Sequence, residues 1–123
     1  MSTKTIGDKG ENDASLFLKK RGFFVLERNF RAGRGGEIDI VCRKEETIVF
    51  VEVKLRKSFT KGNPRESVTS FKIKRMIFAA KCYLNIHREF SDMNYRFDFI
   101  GISYDKDTPK IDYIENIIES SEF

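Results

Sequence analysis

The chain has one histidine, two cysteines, two prolines and no tryptophan among its 123 residues. His87, Cys42 and Cys82 do not give the spacing of a zinc site, and they leave no histidine-activated nucleophile to expect. Two cysteines make no disulfide framework. Cys42 falls in an expected strand and Cys82 in an expected helix, where free cysteine packs as a small core residue. His87 follows a helix end and reads as a surface residue. No apolar run approaches the roughly 20 residues that a membrane-spanning helix needs. Met1-Ser2-Thr3-Lys4-Thr5 carries no apolar signal region. A cytoplasmic protein is expected. Repeats, low-complexity tracts and linkers are also missing, so residues 1–123 read as one domain, with a core over about 9–118 and an acidic C-terminal tail. Any metal bound here must take oxygen ligands.

Charge is plentiful and unevenly placed. From Lys54 to Lys81 nine Lys/Arg stand against one acid, Glu66, whereas Asp105 to Phe123 holds six acids and two lysines. A basic stretch of that kind suits a polyanionic partner, and equally a solvated helix face with its loop.

The pattern predicts an α/β domain: helix-β-β-β-helix-β around a central mixed sheet. Asp8-Lys9-Gly10-Glu11 resembles a capping box opening a helix to about Arg21, with Gly22 as its stop. Ala14, Phe17 and Leu18 mark the apolar side, and Glu11 shares it. Glu11 therefore either caps the helix or points into a site. Strands are expected over Phe23–Phe30, Glu37–Arg43, Thr47–Leu55 and Asn94–Tyr104, with a short edge strand at Lys110–Ile114. Arg31–Gly36 reads as a flexible basic loop without phosphate-loop spacing, Lys57–Pro64 as a mobile loop, and Arg88–Met93 as a loop. A second helix runs from Ser67 or Ser70 to Ile86, with Ile73, Met76, Ile77, Ala80 and Leu84 facing the core. The twelve phenylalanines mostly fit core positions, which leaves DNA and RNA undistinguished.

The informative anomaly lies in the second and third strands. Gly36-Glu37-Ile38-Asp39-Ile40-Val41 and Phe50-Val51-Glu52-Val53-Lys54 put charge where a core is expected, and burying an unpartnered carboxylate is costly. Side chains alternate faces along a strand, so register decides whether these charges meet. If Arg43 pairs with Ile48, Asp39 lies opposite Glu52 and Glu37 opposite Lys54. A one-residue slip scatters them. The bland alternative is a pair of cross-strand ion pairs on an exposed face. The first register makes a Mg²⁺ or Mn²⁺ site: Asp39 and Glu52 as ligands with the Val53 carbonyl, Glu37 and Glu11 near outer waters or a second ion, and Lys54 orienting water or stabilising charge on a phosphate. Arg34, Arg56, Lys57, Lys61, Lys72 and Arg75 would meet the nucleic-acid backbone.

Asp39 followed by Glu52-Val53-Lys54 looks like the Asp…Glu-x-Lys signature of restriction-endonuclease-like nucleases. Around it, Lys9-Gly10-Glu11, Ala14, Leu18, Gly22, Arg28-Asn29, Gly36-Glu37-Ile38-Asp39, Phe50 to Lys54, Arg56, Gly62-Asn63-Pro64, Lys72 and Arg96-Phe97-Asp98 fall in order. From about Lys9 to Ile118 the chain resembles the YraN-like family of predicted endonucleases, similar in layout to archaeal Holliday-junction resolvases. The resemblance implies a restriction-endonuclease-like fold, Mg²⁺ as cofactor, and active positions at Glu11, Asp39, Glu52 and Lys54. Glu37 belongs to the YraN-like motif. The resolvases act as dimers, which implies a possible homodimer.

Three functions fit the sequence. The leading one is a metal-dependent endonuclease hydrolysing DNA phosphodiester bonds, on branched or damaged DNA. The alternatives are a non-catalytic nucleic-acid-binding module on the same fold, and an adaptor whose acidic tail meets a basic partner.

Overall fold

The computed structural model describes residues 3–56 and 68–118. The first helix, α1 (Thr3–Lys20), is followed by strands β1 (Phe24–Ala32), β2 (Gly36–Lys44) and β3 (Thr47–Leu55). Then come helix α2 (Ser70–Ile86), a short 3₁₀ turn at Arg88–Phe90, and strands β4 (Asn94–Asp105) and β5 (Thr108–Ile114). The strands form one mixed sheet in the order β1-β2-β3-β4-β5. Only β3 and β4 are parallel, paired from Thr47↔Asn94 to Leu55↔Ile102, with α2 between them in sequence. The expected α/β architecture and its element order are therefore present, with β5 complete as an edge strand.

Each helix covers one face of the sheet. On the α1 side Ala14, Leu18, Ile40, Cys42, Val49 and Val51 pack without solvent contact. On the α2 side Met76 and Tyr83 meet Ile48, Phe50, Phe97 and Phe99. The period of two along β3 sorts these residues: 49 and 51 to one helix, 48 and 50 to the other. Helix α1 ends where its sequence says it should. Gly22 takes φ 89°, its N–H donates to the Lys19 carbonyl, and the Phe23 N–H donates to Leu18. Phe23 then packs in the same cluster as Leu18, closing the helix end with an apolar contact. At the start of α2 the Thr69 side chain accepts from the Lys72 N–H at 3.1 Å, satisfying an otherwise free helix donor.

The structure corrects several boundaries. Helix α1 begins at Thr3, so Asp8 and Glu11 lie inside it and form no capping box. The acidic C-terminal stretch is no loose tail through residue 118. It contains β5, and Ile117 and Ile118 are buried in the α2-side core. Phe24, Phe71 and Phe78 are exposed rather than core residues, at 69%, 70% and 47%. His87 is half-buried and packs its ring on Tyr83, with centroids 4.2 Å apart.

The segment expected to be a loop over Arg31–Gly36 is partly strand: β1 runs through Ala32, β2 starts at Gly36, and residues 33–35 make a tight turn between them. Ala32 pairs with Gly36, and the Gly35 N–H donates to the Ala32 carbonyl at 3.1 Å. It lies directly against α2. A Cβ on Gly35 would strike the Phe78 ring, and one on Gly36 would strike the Arg75 carbonyl oxygen. Arg75 in turn donates to the Arg34 carbonyl at 3.1 Å. The glycines let backbone meet helix, which fixes the start of β2 relative to α2.

Gly36→Ala must push α2 away from β2. It is expected to cost about 1–3 kcal/mol, measured as a lowered urea midpoint at unchanged slope. An unchanged midpoint would show that this contact is soft.

Candidate functional site

The β2–β3 turn pairs Arg43 with Ile48, the register that brings the two charged segments together. The ladder then stops at Ile40↔Val51. Beyond it β2 turns over. Ile38 packs on the α2 side and Ile40 on the α1 side, although strict alternation would put them on one face. Asn29, the β1 residue between the partners of Ile38 and Ile40, takes φ 55°. Asp39 sits at this slip. Its Oδ2 accepts from the Val53 N–H at 2.8 Å, so a side chain takes over where the ladder stops. The backbone donor stays satisfied while the strands part.

Glu52 projects toward α2 and is almost fully buried, at 3% exposure. Its Oε1 receives the Lys72 ammonium at 2.6 Å. Its Oε2 is enclosed and finds no donor among the described residues. Asp39 lies within hydrogen-bonding reach of Glu52. Burial first, and the neighbouring Glu52 carboxylate second, push the Asp39 carboxyl up to about 8. Burial also raises Glu52, against the lowering pull of Lys72. Lys72 feels burial in the opposite sense, but its bond to Glu52, with Asp39 and Glu37 nearby, raises it overall and keeps it charged. Two carboxylates this close cannot both ionise without help. Either a proton held on Asp39 or a cation satisfies the pair.

A cavity of about 270 Å³ opens beside Asp39, lined by Asp8, Gly10, Glu11, Val53, Leu55 and Ile102. Glu11 thus shares this cavity with Asp39. It is steadied from β1, with Asn29 Nδ2 donating to its Oε2 at 3.3 Å and Arg28 at 3.6 Å. Glu37 lies away from this cavity. It pairs with Arg31 across the β1–β2 ladder at 3.7 Å, and the β2–β3 pairing ends before it could stand opposite Lys54. Lys54 is exposed and pairs in register with Gly101. The four-charge convergence read from the sequence is therefore a closer pair, Asp39 and Glu52, with Glu11 across a cavity. Among the described residues no three His, Cys, Asp or Glu side chains gather tightly enough to hold a metal ion by themselves. The pair still fits a hard cation that keeps several waters, since its donors are all oxygen and one of them is buried without a hydrogen-bond donor among the described residues.

Of the residues read as nucleic-acid contacts, Arg34 is exposed on the β1–β2 turn and Arg75 rests on that turn. The Arg56 N–H donates to Ile102, and its side chain crosses Gly101. Lys57 and Lys61 lie outside the described residues. Lys72 is the reassigned member, since it belongs to the carboxylate pair. Its position beside Ile73, at the border of the apolar stripe of α2, was the available signal. Arg28 and Asn29, which hold Glu11, were visible only as part of the longer motif.

A family model described as Uncharacterised protein family UPF0102 matches residues 10–102, which contain all of these site residues. A UPF0102 protein of Geobacter metallireducens is 45% identical over 119 residues, covering 97% of this chain and 96% of the relative. One from Clostridium perfringens is 47% identical over 109 residues, at 87% and 86% coverage. One from Chloroherpeton thalassium is 43% identical over 100 residues, at 81% and 76%.

The raised carboxyl has a consequence with a definite sign. Between the ordinary value of 3.8 and about 8, the folded state holds a proton that the unfolded state has lost. The metal-free protein should therefore lose stability as pH rises through that window. Asp39→Asn mimics the protonated acid, and it should melt about 3–8 °C above wild type at pH 8.5 with the gap closing toward pH 5. A gap that is constant with pH would contradict the shared proton.

Proposed function

The chain belongs to the UPF0102 family, and on that footing we propose that it is a metal-dependent endonuclease that hydrolyses phosphodiester bonds in DNA. The observation that carries this reading is the Asp39–Glu52 pair: Glu52 Oε2 is enclosed and lacks a donor among the described residues, and Asp39 lines a cavity that Glu11 also lines. Asp39 and Glu52 would hold Mg²⁺ or Mn²⁺. Such an ion, when bound, supplies polarisation of a phosphate and a more acidic water.

The chain's own residues supply the rest. Lys72 neutralises Glu52 and keeps a positive charge at the pair, where it favours an approaching phosphate. The Val53 N–H fixes one Asp39 oxygen, so the carboxylate is oriented before any ligand arrives. Arg28 and Asn29 do the same for Glu11, whose carboxylate can order water across the cavity. Lys54, two residues beyond Glu52 on the same strand, completes the set implied by the nuclease signature, and Glu37 is added by the YraN-like motif. Arg34, Arg56 and Arg75, with Lys57 and Lys61, bring positive charge to the polyanion. A restriction-endonuclease-like ancestry and a branched or damaged DNA substrate belong to this same proposal.

The second reading is a nucleic-acid-binding module without catalysis. It is favoured by the lack of a three-carboxylate cluster among the described residues.

Cleavage of duplex, single-stranded and four-way DNA with Mg²⁺ or Mn²⁺ separates the two. The nuclease reading expects metal-dependent cutting that falls ~100-fold or more in Asp39→Asn and Glu52→Gln. It also expects calorimetric Mg²⁺ binding to wild type that these variants lose. No cutting, or equal cutting by Asp39→Asn, overturns it. Salt-sensitive DNA binding without metal uptake selects the module.

A further inference from the structure

Helix α2 turns an unusual face to solvent. Its buried side carries Ile73, Met76, Ile77, Ala80 and Tyr83, as its spacing requires. On the opposite side the centre of the stripe is held by Phe71, 70% exposed, and Phe78, which rests one side of its ring on Gly35 of the β1–β2 turn and leaves 47% of its surface exposed. They lie two turns apart, roughly 10 Å along the axis. Lys74 and Lys81 flank them on one edge and Arg75 on the other, with its guanidinium 5.6 Å from the Phe71 ring. The helix contains four Lys/Arg and no acid. A helix face with aromatic rings at its crest and cations along both shoulders wastes apolar area in water unless something planar or apolar covers it.

The charge decides between occupants. A second copy laid on this face would bring Lys74, Arg75 and Lys81 against their own kind, at a repulsive cost. A polyanion with flat, unpaired bases meets both parts of the surface. The face is also continuous with the carboxylate pair, because Lys72 leaves the same helix one residue after Phe71 and ends on Glu52.

We propose that the outer face of α2 binds single-stranded nucleic acid, with bases stacking on Phe71 and Phe78 and phosphates held by Lys74, Arg75 and Lys81. Stacking is indifferent to base identity, so the surface selects strandedness and not sequence. Duplex DNA hides its base faces and reaches only the cations. This deepens the nuclease reading by naming the substrate as a strand with unpaired bases. It rests on that reading only for where the strand leads, since binding needs no cutting.

The test is fluorescence anisotropy in EDTA with a labelled 20-mer of deoxythymidylate, the same length of oligouridylate, and a 20-base-pair duplex. Wild type should bind both single strands more tightly than duplex. The Phe71→Ala/Phe78→Ala double variant should lose about tenfold or more on single strands and less than about threefold on duplex. Lys74→Ala/Lys81→Ala should weaken all three ligands and flatten the salt dependence. Equal single-strand binding by wild type and the phenylalanine variant overturns the proposal. So does a change of that variant's mass from dimer to monomer, which would mean that a second copy covers the face. Cutting without any dependence on Phe71 and Phe78 sinks this inference and spares the nuclease. Phenylalanine-dependent binding by a protein that never cuts does the reverse.

Discussion

The hydrogen bond from the Val53 N–H to the Asp39 carboxylate is the hinge of this structure. An antiparallel ladder cannot simply stop inside a protein, because each released N–H needs a partner. Here a side chain provides it, and β2 departs from β3 without leaving an orphan. The same bond fixes one Asp39 oxygen beside Glu52, on the face where the register of β2 and β3 already aims both side chains. The end of the sheet opens into a cavity that the second turn of α1 can reach. And Glu52, one residue past Val51, the last β3 residue paired with β2, is left to α2, which answers with Lys72.

The pair is a local conflict that the fold sustains. Burial penalises both carboxylates, and each penalises the other. Lys72 relieves Glu52 but comes from a helix nearly half exposed to water at that side chain, so the relief is partial. Core residues around the pair supply the stability to hold it: Ile40, Val51 and Phe50 have no solvent contact. Such tension is a common property of sites that bind something, because a ligand of the right charge releases it.

Much of this was legible before any coordinates. Alternation along Thr47–Leu55 gives the strand and its faces, and it leaves two registers open; the one that pairs Arg43 with Ile48, which puts Asp39 opposite Glu52, is the one the structure has. What could not be counted was the slip at Asp39. It depends on Asn29 adopting φ 55° on a neighbouring strand, a property with no periodic signature. For that reason Glu37 was placed beside Lys54, while the structure gives it to Arg31. The glycines at 35 and 36 read as flexibility because their purpose is tertiary: they are small where α2 presses on the turn. Asp8-Lys9-Gly10-Glu11 has the spacing of a capping box but lies inside a helix that already runs from Thr3, so a local motif marks the wrong start for α1. Phe71 and Phe78 fall off the apolar stripe of α2, so helical spacing marks them as exposed even though phenylalanine is mostly a core residue.

The two outer strands of the sheet have one further consequence. An open sheet offers its rims to any extended chain, and β1 and β5 are those rims. Both are poor templates. Strand β1 is irregular between Val25 and Glu27, kinks at Asn29, and carries Glu27, Arg28 and Arg31. Strand β5 has Pro109 near its start and Lys110 and Asp112 along it. Lateral addition of a strand, whether from a neighbour or from an aggregating copy, is therefore discouraged at both sides.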